Sequence, residues 1–299
     1  MTTVTRIVTD DREARQAWAQ FCEPGDGLAG ALIQRLGAVE AFTQIATGSH
    51  TNFDGIDAAP LRERMRPRIS EGEFRAANAI AAKLGSTFIT PEDPEWDTRL
   101  DVLGVHRPHG LWVLGKKELL GTDTNTTAVL GSRAATGYGE FQSVELASGL
   151  SRRGHTILSC GGYGIGGAAT RATLASEGNA VVILAGGLDR AYPAGHAALF
   201  ARVAEAGVLV SELAPMTSPT KWRFLQRNRI LAAMANRVLI VEAGWRSGSL
   251  NVAGHAIAIG TPVGAMPGPV TSAASAGCHR LIREYGATLV TTVEEVEAL

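Results

Sequence analysis

The chain has 299 residues, of which 45% are hydrophobic and 19% charged, with a formal net charge of -1. That is enough apolar material for one large core or two moderate ones, and too much for a disordered chain. A charge near zero excludes a protein coated in basic residues, but residues 1–100 hold 11 Lys/Arg against 15 Asp/Glu and residues 101–299 hold 17 against 14, so an anionic partner is expected on the second part.

Residues 1–84 read as a helical N-terminal domain. Asp10 and Asp11 open a run with apolar residues at Ala14, Ala17, Trp18 and Phe21, one helix face behind an acidic first turn. The breaker Glu23-Pro24-Gly25-Asp26-Gly27 precedes a second helix carrying Leu28, Leu32, Ile33 and Leu36, and a third runs from Ala38 to Thr47. Residues 48–60 read as a polar loop and 61–84 as helical again. Arg62, Arg64, Arg66 and Arg68 in that last stretch read as a solvated face.

From Thr87 the period changes. Residues 87–90 and 111–115 read as strands, and after a linker at 121–125 strands and helices alternate. The strands are 127–131, 156–160, 180–185, 208–213, 237–242, 262–266 and 287–290; the helices are 138–153, 165–177, 196–206, 225–235, 250–259 and 277–285. Short apolar runs alternating with amphipathic helices predict an α/β domain over 85–299, a doubly wound, mainly parallel Rossmann-like sheet with helices on both faces. Its site is expected at the carboxyl ends of the strands.

Cys22, Cys160 and Cys278 are far apart and odd in number, which fits neither a disulfide framework nor a zinc site and points to a reducing cytosol. The first ten residues lack an apolar signal core, and no uninterrupted apolar run is long enough for a membrane span. A cytoplasmic protein without a membrane partner is expected.

The strand-end loops carry the chemistry. Gly131-Ser132-Arg133, before a helix, offers a tight turn, a hydroxyl, free amides and a forked cation, all suited to phosphate. Ser159-Cys160-Gly161-Gly162-Tyr163-Gly164 is glycine-rich enough for a backbone or phosphate to approach closely. Gly162, Gly164 and Gly167 match a dinucleotide spacing, with Asp189 downstream. The loop follows the second strand of the series rather than the first, so the match is weak and no cofactor is expected.

Lys221-Trp222-Arg223-Phe224-Leu225-Gln226-Arg227-Asn228-Arg229 has four cations, no acid and two interleaved aromatics. It reads as a surface loop running into a helix, with the phosphate contacts and stacking rings that single-stranded nucleic acid needs. Ser247-Gly248-Ser249, after another strand, is a further anion-binding turn, whereas Pro267-Gly268-Pro269 reads as a rigid structural one. There is no phosphate-binding GxxxxGK[ST] loop and no metal-ligand cluster, and the strand-end acids Glu212 and Glu242 have no paired nucleophile. Neither a catalytic residue nor a metal site is assigned.

In order along the chain, Gly131-Ser132-Arg133 with Tyr138-Gly139, the Ser159 loop, Tyr192-Pro193, Arg227-Asn228-Arg229-Ile230, Ser247-Gly248-Ser249-Leu250, Pro267-Gly268-Pro269 and Gly277-Cys278-His279-Arg280-Leu281-Ile282 resemble the DprA/Smf family of bacterial DNA-processing proteins, over roughly Ser86 to Leu299. The resemblance implies a non-enzymatic recombination mediator of natural transformation. Such a protein binds single-stranded DNA, loads a RecA-type recombinase and forms a homodimer. Carried onto this sequence, the DNA site comprises Gly131, Ser132, Arg133, Ser159, Gly161, Gly162, Lys221, Arg223, Phe224, Arg227, Asn228, Arg229, Ser247, Gly248 and Ser249. The family's glycine loop normally carries an arginine and an aspartate where this chain has Tyr163 and Gly166. The winged helix that many relatives carry at the C-terminus is not expected before Leu299. The alternative is a nucleotide-binding enzyme similar to the LOG-type nucleoside-monophosphate phosphoribohydrolases. Its Pro-Gly-Gly-x-Gly-Thr-x-x-Glu loop has only Pro267-Gly268-Pro269-Val270-Thr271 as a counterpart.

Overall fold

The computed structural model describes residues 8–48, 50–121 and 123–299; residues 1–7, Ser49 and Thr122, which touch the expected N-terminal, loop and linker stretches, lie outside them. Helices α1 (Asp11–Phe21), α2 (Gly27–Leu36) and α3 (Ala38–Thr47) follow the sequence pattern. Asp10 caps α1 by accepting from the Glu13 amide, and Asp26 caps α2 through the amides of Leu28 and Ala29. The expected loop holds a hairpin, β1 (Asn52–Phe53) and β2 (Ile56–Asp57), closed by Asp54-Gly55 with both residues at positive φ. The single helical run expected next is two, α4 (Ala59–Met65) and α5 (Glu71–Leu84), because Pro67 ends one in a 3-10 turn and Ser70 caps the next. These elements enclose their own apolar cluster around Trp18, Phe21, Leu32, Phe42, Leu61 and Phe74.

The second part is a nine-stranded sheet. Strands β3 (Thr87–Ile89) and β4 (Leu111–Gly115) flank a 3-10 segment at Thr98–His106. Then come β5 (Thr126–Gly131), α6 (Gly137–Arg152), β6 (Thr156–Ser159), α7 (Ile165–Ala175), β7 (Ala180–Leu184), α8 (Ala197–Ala206) and β8 (Val208–Ser211). After α9 (Lys221–Ala233) follow β9 (Arg237–Glu242), α10 (Ser249–Ala258), β10 (Val263–Ala265), α11 (Ala276–Glu284), β11 (Thr288–Leu289) and α12 (Val293–Glu297). The strand order is β11-β10-β9-β5-β6-β7-β8-β4-β3, parallel except where β4 joins β8 and β3 joins β4. Successive residues face opposite layers: Ala128, Leu130, Val238 and Ile240 pack under α9 and α10, whereas Val129, Leu239 and Val241 pack under α6 and α7.

This is the α/β Rossmann-like architecture the sequence pattern predicts. The chain winds outward from β5 through β8 and then returns to place β9 on the other side of β5. Ligand crevices form above the carboxyl ends at such a reversal. The helical region sits at close range against the 3-10 segment between β3 and β4: a Cβ on Gly30 would lie 1.8 Å from the Val105 carbonyl oxygen.

Candidate nucleic-acid interface

Four strand-end connections build the site. At the end of β5 the Ser132 amide donates to the Glu242 carbonyl at 2.7 Å. The Glu242 carboxylate accepts from the Thr136 amide and hydroxyl at 2.8 and 2.6 Å. Glu242, 2% exposed, therefore braces the Gly131-Ser132-Arg133 turn from behind and is not aimed into the crevice. Gly164 lies at φ +67, and a Cβ there would stand 2.3 Å from the Ser132 carbonyl oxygen. Only glycine lets the glycine-rich loop close on the neighbouring turn this tightly.

The basic stretch is not a loop. Helix α9 begins at Lys221, capped by the Thr220 side chain accepting from the Arg223 amide. That geometry sorts its cations. Lys221 and Phe224 face the crevice, and Arg227 and Asn228 reach its floor. Arg229 points elsewhere: it is 4% exposed, its guanidinium donates twice to Glu212 at 2.6 and 2.8 Å, and its Nε donates to the His106 carbonyl. Arg223 is likewise spent, donating to Glu23 in the helical region and to the Ser218 carbonyl. Arg223 and Arg229, expected at the DNA site, do not line the cleft, because their donors are used in joining the two parts of the chain.

The cleft that results has a volume of about 760 Å³. It brings together Gly131, Ser132, Arg133, Lys221, Phe224, Arg227, Asn228, Ser247, Gly248 and Ser249, all singled out from sequence. Gly162 lines a narrow extension between Arg133, Tyr192 and Phe224. Ser159 and Gly161 lie beneath: Ser159, 1% exposed, shares a hydrogen bond with Thr170, and its hydroxyl accepts from the Gly161 amide. These two shape the loop without lining the cleft. Cys160, Tyr163 and Arg246 do line it and were not assigned. Arg246 shares the turn of Ser247, and Tyr163 stands exposed at the tip of the glycine loop, its ring 4.7 Å from His196; that shared turn and that loop-tip position were the available signals.

Electrostatically the cleft is one-sided. Arg133, Lys221, Arg227 and Arg246 line it, no acidic residue does, and none of the four is in an ion pair among the described residues. Burial pushes the Arg227 guanidinium below its ordinary value, and Arg133 adds to that by repulsion against the opposing pull of Cys160. Arg133 lies over the Phe224 ring at 4.7 Å, and Arg227 is 5.8 Å from the same centroid. Such a surface takes phosphates by charge and presents rings to bases. Elsewhere, Asp189 accepts from the Met216 amide, and the Pro267 carbonyl accepts from the Tyr138 hydroxyl. Among the described residues no group of three or more His, Cys, Asp or Glu is placed to hold a metal, and no helix is long and apolar enough to cross a membrane.

The fold and cleft define a Rossmann-type protein with a cation-lined crevice at its strand reversal. The chain belongs to the DNA recombination-mediator protein A family, whose model matches residues 87–298. A relative from Mycobacterium tuberculosis (strain ATCC 25618 / H37Rv), described as a DNA processing protein DprA, is 42% identical over 94% of this chain and 74% of its own. Protein Smf of Escherichia coli (strain K12) is 39% identical over 70% of this chain and 55% of its own. The X-ray structure of DNA processing protein A from Streptococcus pneumoniae superposes with a TM-score of 0.77 at 26% identity, covering 97% of this chain and 98% of that one. A Helicobacter pylori DNA processing protein A, solved to describe its single-stranded DNA binding mode, superposes with a TM-score of 0.63 at 26% identity, covering 70% of this chain and 93% of that one.

Proposed function

We propose that this protein binds single-stranded DNA in the strand-end cleft and acts, without catalysis, as a cytoplasmic homodimeric mediator that passes the strand to a RecA-type recombinase. The observation that carries the reading is the set of four cleft cations, none in an ion pair among the described residues, beside the Phe224 and Tyr163 rings, with no acid lining the cleft. Family membership supports the mediator role, and the Helicobacter pylori relative supports the single-stranded ligand. The strand-end carboxylates Glu212 and Glu242 are both engaged in structural hydrogen bonds, which supports a binding role over a catalytic one. Exposed Trp245, Ile257 and Tyr285, beside the cleft, offer apolar surface to a second copy.

Fluorescence anisotropy of a labelled oligo-dT across a salt series tests the proposal. If about three to five phosphates are held, the log-log salt slope for a single strand is about -2 to -3.5. Arg133→Ala is expected to weaken binding to all sequences alike and to reduce that slope by about 0.7. Duplex that binds as well as single strands, or an Arg133→Ala variant of unchanged affinity, contradicts the assignment.

A further inference from the structure

The least conventional charge in the molecule is Arg227. It is 8% exposed, and the acceptors of its Nη1 and Nε, the Ile183 carbonyl at 2.7 Å and Asn228 Oδ1 at 3.2 Å, are neutral. The other deeply buried guanidinium among the described residues behaves differently: Arg229 has the Glu212 carboxylate. A buried cation without a counter-charge is costly, and of these two arginines only Arg229 is given an acid. Arg227 is also held in orientation, since Asn228 Nδ2 donates in turn to Asn251 Oδ1 at 2.9 Å.

We propose that the cleft floor is a receptor for a terminal phosphate monoester, carried by a phosphorylated strand end or a free nucleotide, with Arg227 as its buried anchor. The proposal rests on the single-stranded DNA reading and adds an end to the strand. An internal phosphodiester carries one negative charge, and its chain has to enter and leave the cleft. A terminal monoester carries about -1.5 to -2 at neutral pH and enters by one end, so it reaches a buried floor without threading. Arg133, Lys221 and Arg246 at the rim match the extra charge, and Ser249 adds a hydroxyl.

Cys160 supplies a reporter. It lines the cleft beside Arg227 and is partly exposed, whereas Cys22 and Cys278 are 5% and 0% exposed. The test compares 5′-phosphorylated with 5′-hydroxyl oligo-dT of one length by competition anisotropy. In parallel, alkylation of Cys160 by iodoacetamide is followed with thymidine monophosphate or thymidine present. The phosphorylated strand is expected to bind about tenfold tighter, with that advantage gone in Arg227→Gln, and thymidine monophosphate but not thymidine is expected to slow the alkylation. A phosphorylation advantage without protection by the mononucleotide assigns the phosphate to strand ends. Protection with neither strand bound retains the phosphate floor and removes the single-strand reading. Equal affinity for the two strands together with no protection overturns the proposal, and both wild-type measurements stand even if Arg227→Gln fails to fold.

Discussion

Arg229 and Glu212 form a two-pronged ion pair inside the protein, with side chains 5% and 8% exposed. The arginine comes from α9 and the acid from the end of β8, and Arg229 Nε also reaches the His106 carbonyl in the segment packed on the helical region. The pair therefore fastens three parts of the chain and contributes nothing to the cleft surface.

Arg229→Ala leaves Glu212 buried without a partner, so a loss of about 3–5 kcal/mol of stability is expected. Denaturant unfolding reads this directly. Any fall in DNA affinity in this variant is expected to track the fraction unfolded, in contrast to Arg133→Ala, whose melting temperature should stay at the wild-type value.

Phe224 is half-buried, with Arg133 on its face and Tyr192 at its edge with ring centroids 5.8 Å apart. Phe224→Ala is expected to keep the fold and to weaken single-strand binding by about 1–3 kcal/mol, through the lost stacking face and a loosened Arg133. Anisotropy beside a thermal melt checks both halves.

Gly164→Ala tests the contact between the two loops. A methyl group there meets the Ser132 and Arg133 carbonyls at 2.3 and 2.6 Å, on a backbone at positive φ. The loops are expected to separate, with single-strand affinity lowered more than overall stability. Equal affinity would show that the Gly131-Ser132-Arg133 turn holds its position unaided.

Acid destabilises the protein through His109, whose pKa is lowered to about 3 by burial, with Arg15 and Arg229 nearby. Its folded value lies below the unfolded one, so its effect on stability is absent above the unfolded pKa and grows as pH falls toward the folded one. Between pH 6.5 and pH 5 this one site is expected to remove about 2 kcal/mol. His155 and His255, also lowered by burial, act in the same direction. Unfolding midpoints at pH 7 and pH 5 measure the drop, and His109→Gln is expected to shrink it.

The sheet was legible because its strands are apolar runs with helical periods between them, and the site because glycine, serine and arginine recur at strand ends. The start of α9 was misread. Four cations near a helix N-terminus oppose its dipole and suggest a loop, although Thr220 three residues before Arg223 was a readable cap. The fate of Arg229 was not readable at all, since its partner Glu212 lies 17 residues away and only the return of α9 past the end of β8 brings them together. Asp54-Gly55 was a readable hairpin signal that the polarity around it concealed. Arg227 looked like its neighbours in sequence; its burial follows from one helical turn of geometry.

The strand order also sets when the crevice comes into being. Arg133 is made early, on the turn after β5, but one edge of β5 stays open until β9 arrives more than a hundred residues later. A polypeptide emerging from the ribosome thus completes β5 through β8 with an unpaired central edge and no floor to its crevice. Lys221, Arg227 and Arg246 join Arg133 only after the chain has doubled back. The cation-lined cleft is thereby a property of the finished sheet, and a chain made only as far as β8 has Arg133 without the three cations that face it.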